Sequence, residues 1–192
     1  MKRFMMSAVL AMFSLACGGG AGGGAKVDIK VGGKDTSLVV KTDGTYRSVK
    51  TFTDINGKIT TATSFDVYLA NYEMDPTSPI TMRKPLTAAD QVRVALHLVG
   101  EEGTDRQTDL KPGIYKADAG SKFMKVDSLI VSTFADGKEV NTSFDAQSSQ
   151  SKITGQVEVK SVTADSISGT IDVTDGDKNV KGSFTAKIAA KK

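Results

Sequence analysis

The chain has 192 residues, a formal net charge of +3 at pH 7, one cysteine and no tryptophan. Removing Lys2 and Arg3 with an export signal leaves 23 basic against 22 acidic residues. The mature chain is therefore nearly neutral. This argues against a nucleic-acid partner, because a protein that binds nucleic acid requires a concentrated basic face. One cysteine excludes an intrachain disulfide and a thiolate metal site.

The first 16 residues predict a signal peptide. Lys2 and Arg3 form a positive n-region, and Phe4–Ala16 is an uncharged, largely apolar run of 13 residues. This run is too short to span a bilayer, which takes about 20 residues. The small residues Ser14 and Ala16 also suit ordinary signal peptidase, so simple secretion is the alternative to the anchored form described next.

The end of the signal, Ser14-Leu15-Ala16-Cys17, resembles the cleavage site of bacterial lipoproteins. Ala16 and Cys17 match the family motif, while Ser14 stands where Leu is usual. Gly18–Ala25 is then a Gly/Ala tether, as in many lipoproteins. The resemblance implies lipidation of Cys17, a membrane partner through the lipid, and a place in the bacterial envelope at the outer membrane. A periplasmic or secreted protein is the alternative.

Hydrophobic alternation at period two dominates residues 26–192, which we expect to form a single all-β domain. Turn dipeptides separate the alternating runs at Gly32-Gly33, Asp43-Gly44, Asn56-Gly57 and Asp136-Gly137. These residues tolerate the positive φ that tight hairpin turns require. The pattern therefore predicts a succession of hairpins.

The middle of the chain is less regular. Met74–Pro85 contains three prolines and predicts an irregular loop. Thr87-Ala88-Ala89-Asp90 resembles a capping box and predicts one short helical turn near residues 87–91. The alternating run that starts at Val92 then predicts a core strand.

The C-terminal third contains a short repeat in which Gly155, Gly169 and Gly182 each share the apolar face of an alternating strand. We expect a three-stranded antiparallel meander. The glycines indicate bends or close backbone approach. Together the patterns predict an antiparallel, jelly-roll-like β-sandwich of about nine to eleven strands, with a closed β-barrel as the alternative.

A second resemblance covers about Val92–Ile188. The motifs Leu110-x-Pro112-Gly113-x-Tyr115, Gly155-x-Val157-x-Val159, Ser166-x-Ser168-Gly169-x-Ile171 and Val180-x-Gly182-x-Phe184 resemble those of uncharacterised β-sandwich lipoproteins of bacterial envelopes. This resemblance implies a fold and a location, with no activity to transfer.

The candidates for chemistry are few. His97 is the only histidine and lies out of phase with Leu96 and Leu98, which favours a structural role over a catalytic one. Asp172, Asp175 and Asp177 cluster near a turn and are weak candidate Ca²⁺ ligands, although a hairpin turn explains them better. We therefore expect no enzyme, no cofactor and no metal site.

These observations predict a lipid-anchored, non-enzymatic envelope module that binds or scaffolds, its partner being an envelope protein or a small apolar ligand. The alternative is a lipocalin-like carrier of a small apolar ligand. Gly155, Gly169 and Gly182 suggest that alternative, because missing side chains could leave space inside a barrel.

Overall fold

The computed structural model describes residues 25–145 and 152–189. The predicted signal peptide and Cys17 lie outside the described residues, as does the tether up to Gly24. The described elements are β1 (Lys26–Val31), β2 (Lys34–Val39), β3 (Thr42–Thr53), β4 (Ile59–Ala70), α1 (Pro79–Met82), β5 (Val92–Val99), β6 (Gly113–Lys116), β7 (Lys125–Ala135), β8 (Lys138–Asp145), β9 (Ile153–Val162), β10 (Ser166–Asp175) and β11 (Lys178–Lys187).

The strands form one curled sheet, a half-barrel, in the order β2-β1-β11-β10-β9-β6-β7-β5-β4-β3, and β8 pairs with β7 beside this path. Neighbouring strands are antiparallel, except that β6 pairs in parallel with β7. Curling brings the end of β11 to the start of β3, where the Asp43 carboxylate accepts a 2.6 Å hydrogen bond from the Lys187 N–H. The all-β prediction is confirmed.

One hydrophobic core lies inside the curl. It extends from Val27 in β1 to Ala186 in β11, and its central strands contribute fully buried side chains such as Phe65, Leu98 and Phe144. Because side chains alternate along a strand, each of these strands has a second set of side chains on the outer face of the sheet. The outer face of β4, β5, β7 and β8 holds the polar residues described below.

Three of the four dipeptide turns are confirmed. Gly32, Gly33, Gly57, Asp136 and Gly137 all have positive φ, between 53° and 78°, as tight hairpin turns require.

The turn predicted at Asp43-Gly44 is wrong, because β3 already begins at Thr42. Gly44 lies inside the strand for a packing reason: a Cβ there would be 2.9 Å from both Met82 Sδ and Pro76 Cβ. The missing side chain therefore lets the segment that carries α1 lie against the outer face of β3.

The helical turn predicted near residues 87–91 is also misplaced. Residues 88–90 form a turn that is closed by the Gln91 N–H donating to the Ala88 carbonyl at 3.1 Å. The Gln91 side-chain oxygen accepts from the N–H of Thr87 at 2.7 Å, so a neighbouring glutamine provides the cap and no helix follows. The helix is instead Pro79–Met82, with Ser78 as its N-cap.

The C-terminal meander is confirmed as β9, β10 and β11. A Cβ at Gly155, Gly169 or Gly182 would overlap a backbone carbonyl of the adjacent strand. The glycines therefore permit close backbone approach, as predicted, and they do not open space inside the curl. This finding removes the observation that suggested a carrier.

Truncation of Phe184 tests the meander. The side chain is 2% exposed in the core, so Phe184→Ala should lower the free energy of unfolding by roughly 3–5 kcal/mol. Thr185→Ala is the matched control, because Thr185 is exposed on the opposite face and its loss should be on the order of 1 kcal/mol or less. Urea melts measure both, and equal losses would contradict the packing.

Candidate functional site

A polar groove lies on the face of β4, β5, β7 and β8 that is turned away from the core. Leu96 and Leu98 of β5 project into the core, whereas Ala95 and His97 belong to the opposite face. The groove has a volume of about 470 Å³. Besides the core residue Leu96, its lining residues are Asp66, Tyr68, Arg83, Arg93, Ala95, His97, Ser128, Ile130, Ser132, Glu139 and Asn141.

Arg93 fastens the segment that carries α1 to this face. Its side chain is only 7% exposed, and one guanidinium nitrogen donates to the carbonyls of Met82 (3.2 Å) and Lys84 (2.7 Å). The other nitrogen is 3.0 Å from the Glu139 carboxylate, whose second oxygen accepts from the Leu86 N–H at 2.7 Å. The Arg93–Glu139 pair therefore closes one end of the groove and positions its wall.

A chain of hydrogen bonds continues from Arg93 along this end. Arg93 donates to the Ser132 hydroxyl at 3.2 Å, which donates to the Asn141 side-chain carbonyl at 2.6 Å. Within the described part of the chain, neither the Asn141 amide nitrogen nor the Ser128 hydroxyl has a hydrogen-bond partner. Both groups line the groove and can contact a ligand.

Across the groove from the β8 residues Glu139 and Asn141, the wall is formed by Arg83, Tyr68 and Asp66. Arg83 Nε donates to the Tyr68 hydroxyl at 2.6 Å, and its terminal nitrogen is 2.7 Å from Asp66 Oδ2. Burial raises the pKa of Tyr68, so the phenol stays neutral. The hydrogen bond to Tyr68 raises the pKa of Arg83, so the guanidinium stays charged.

At the far end, His97 lies near two carboxylates: Asp66 is its partner in the regular ladder of β4 and β5, and a β-bulge adds Asp127. The pairing of β5 with β7 shifts register between His97 and Leu98, which leaves Asp127 as an extra residue beside Ser128. Nδ1 of His97 lies 3.6 Å from Asp66 Oδ1 and 3.8 Å from Asp127 Oδ2. The imidazole is 31% exposed and reachable from the groove.

Two lysines neutralise Asp127, whose side chain is only 5% exposed. Lys50 Nζ lies 2.5 Å from one carboxylate oxygen and Lys125 Nζ lies 2.9 Å from the other. Burial alone would raise the pKa of Asp127, but the hydrogen bonds from Lys50 and Lys125 outweigh it and hold the pKa below its ordinary value.

Ser64, His97 and Asp66 are arranged in the order of a hydrolase triad, with Ser64 Oγ 2.5 Å from His97 Nε2. However, Ser64 is fully buried, and its hydroxyl donates to the Leu98 carbonyl at 3.2 Å. A nucleophile must be exposed to the substrate and lose its proton to the base. In this geometry Ser64 supports the imidazole ring instead.

The candidate Ca²⁺ ligands are not brought together. Asp172 pairs with Lys181 at 3.0 Å, and Asp175 pairs with Lys178 at 2.6 Å across the hairpin. Among residues 25–145 and 152–189, no group of three or more His, Cys, Asp or Glu side chains could hold a metal ion. Asp177 is an exposed turn residue in this hairpin.

The sequence analysis named His97 but not the charged residues around the groove. One signal could have indicated them: Asp66 and Arg93 interrupt strands that are otherwise apolar at neighbouring positions. Charges in such strands are seldom buried unless they are paired. Their partners Arg83, Asp127 and Glu139 come from distant elements and have no local signature.

Comparisons with protein-family models, with curated proteins and with solved structures found no match. Among the described residues, no helix has the length and apolar character to cross a membrane.

The lowered pKa of Asp127 makes its contribution to stability depend on pH. The contribution is complete above the unfolded pKa of about 3.9 and is lost as pH falls through the lower folded value. Asp127→Asn should therefore be less stable than the parent by about 3 kcal/mol near pH 6, and this difference should shrink below pH 3.9. Denaturant melts from pH 2 to 7 measure it.

The exposed Asp177→Asn is the control for this experiment and should change stability by less than about 0.5 kcal/mol throughout. A stability difference at Asp127 that is independent of pH would contradict an ionised, lysine-paired carboxylate.

Proposed function

We propose that the protein is exported, anchored in the bacterial envelope through Cys17, and uses the groove on β4, β5, β7 and β8 to bind an uncharged glycan without catalysis. One observation carries the choice of ligand. The charges of the groove are paired with one another, while the Asn141 amide and the Ser128 hydroxyl face the groove without a partner among the described residues.

Charge balance argues for an uncharged ligand. Arg83 pairs with Asp66 at 2.7 Å and Arg93 pairs with Glu139 at 3.0 Å. An ionic ligand would have to compete with these pairs, since neither wall offers an excess of one sign. A neutral ligand leaves both pairs intact.

The remaining groups suit a molecule with many hydroxyls. The Asn141 amide and the Ser128 hydroxyl can donate to sugar oxygens. Between them, Ala95 and Ile130 provide a small apolar floor for the C–H face of a sugar ring. Binding sites typically combine such an apolar surface with a few placed polar groups.

Two observations make other functions less suitable. An esterase or protease would need access to Ser64, which is fully buried. A carrier of an apolar ligand would need apolar space, whereas the groove is bordered by Asp66, Arg83, Arg93 and Glu139. The Gly/Ala-rich tether Gly18–Ala25 that the sequence predicts would give the binding domain reach within the envelope.

A glycan array tests the ligand class. Fluorescently labelled protein should bind uncharged bacterial glycans in preference to acidic and basic ones. Asn141→Ala removes a donor of the groove and should weaken binding about tenfold, the effect of losing one well-placed hydrogen bond together with its orientation.

Asn56→Ala is the matched control, because Asn56 is exposed in the β3–β4 turn and does not line the groove. Its binding should equal that of the parent. Binding that is confined to charged glycans, or that survives Asn141→Ala unchanged, would refute the proposal.

Metabolic labelling with a palmitate analogue tests the anchor. Cys17 is the only cysteine, so Cys17→Ser should abolish the label and move the protein from the membrane fraction to the periplasm or medium. Two or more acyl chains hold a protein stably on a membrane, which explains the expected shift. Label that persists in the Ser variant would contradict lipidation at Cys17.

A further inference from the structure

β3 is a terminal strand with a long unpaired edge. It lies last in the sheet order and pairs with β4 over its whole length without a bulge. Asp43 near its start touches the end of β11. Beyond this contact, the segment Tyr46–Thr53 has no strand on its other side within the described residues, and we refer to it as the free edge.

The backbone groups of the free edge can be assigned. Asp54 N–H donates to the Lys58 carbonyl at 3.0 Å, which fixes the alternation of the β3–β4 ladder. In an antiparallel pair, successive residues point their N–H and C=O groups to opposite sides. The groups of Arg47, Val49 and Thr51 therefore face away from β4 and remain available to another strand.

Within the described residues, the free edge lacks several of the usual protections of an edge strand. Natural edges are guarded by prolines, bulges, charged side chains, lysine above all, or a covering helix or loop. The free edge contains no proline, and both of its cations are engaged elsewhere: Arg47 pairs with Asp109, and Lys50 pairs with buried Asp127. Val49 is left 41% exposed between them.

We infer that two copies of this chain associate through antiparallel pairing of their free edges, with Val49 of each copy opposite Val49 of the other. This register is self-complementary. It places Arg47 opposite Thr51 and Tyr46 opposite Phe52 of the second copy, so that an aromatic pair forms and no like charges meet. If the antiparallel register were centred on Lys50 instead of Val49, the Lys50 side chains of the two copies would face each other, which is unfavourable.

The register predicts a specific cross-link. In the full-length chain carrying Cys17→Ser, Val49→Cys introduces the only thiol. The two Val49 residues would form a hydrogen-bonded pair, whose Cα atoms are about 5.5 Å apart, within the range of a disulfide. Mild oxidation should therefore give a covalent dimer. Thr36→Cys is the control: it lies on β2, the opposite terminal strand, is also exposed, and should stay monomeric.

Analytical ultracentrifugation tests the association without a thiol. The Cys17→Ser chain should sediment as a dimer. Val49→Pro should raise the dimer dissociation constant at least about tenfold, because it removes one outward N–H donor from each copy. The ladder to β4 does not use this N–H, so the far-UV spectrum should not change.

A monomeric parent, or equal cross-linking at positions 36 and 49, would overturn the inference. If Val49→Pro loses its β spectrum, Val49→Lys takes its place. Lysine restores an edge charge and opposes two cations at the dimer axis. A parent-like dimer in that variant would also overturn the proposed register.

Discussion

The buried guanidinium of Arg93 holds the outer layer of the molecule in place. The segment between β4 and β5 has little regular structure of its own, and its backbone carbonyls at Met82 and Lys84 are satisfied by Arg93. Glu139 neutralises the cation and also accepts the Leu86 N–H. A buried charge is costly unless it is paired and fully hydrogen-bonded. The pair therefore fixes one conformation of the segment, and with it the position of Arg83 in the groove wall.

The second constraint is the β-bulge in β7. Without the extra residue, strict alternation would place Asp127 and Ser128 on opposite faces of the sheet. The register shift next to His97 instead brings the Asp127 carboxylate to the outer face, beside the imidazole and two lysines. One extra residue in the pairing of β7 thus makes part of a hydrophobic strand contribute to a charged site. The bulge therefore adds a second carboxylate beside His97, at the far end of the groove.

Period-two alternation and turn dipeptides predicted most strands, since both are local properties of the chain. The prediction failed where distant residues decide the local conformation. Gly44 lies in a strand because Pro76 and Met82 pack on it. The groove was even harder to predict from the sequence, because Asp66, Arg93 and Glu139 meet only through the pairing of β4, β5, β7 and β8. The bulge at Asp127 has no sequence signature comparable to the glycine turns.

Lys50 connects the groove to the free edge of β3. Its ammonium lies 2.5 Å from the Asp127 carboxylate, so it stabilises the charged end of the groove. The same contact turns the lysine inward from a terminal strand where it would otherwise repel an approaching strand. The ion pair therefore influences two surfaces at once. An interaction that stabilises the fold around His97 also draws the Lys50 ammonium away from an approaching strand and leaves Val49 exposed, which is the property on which self-association would depend.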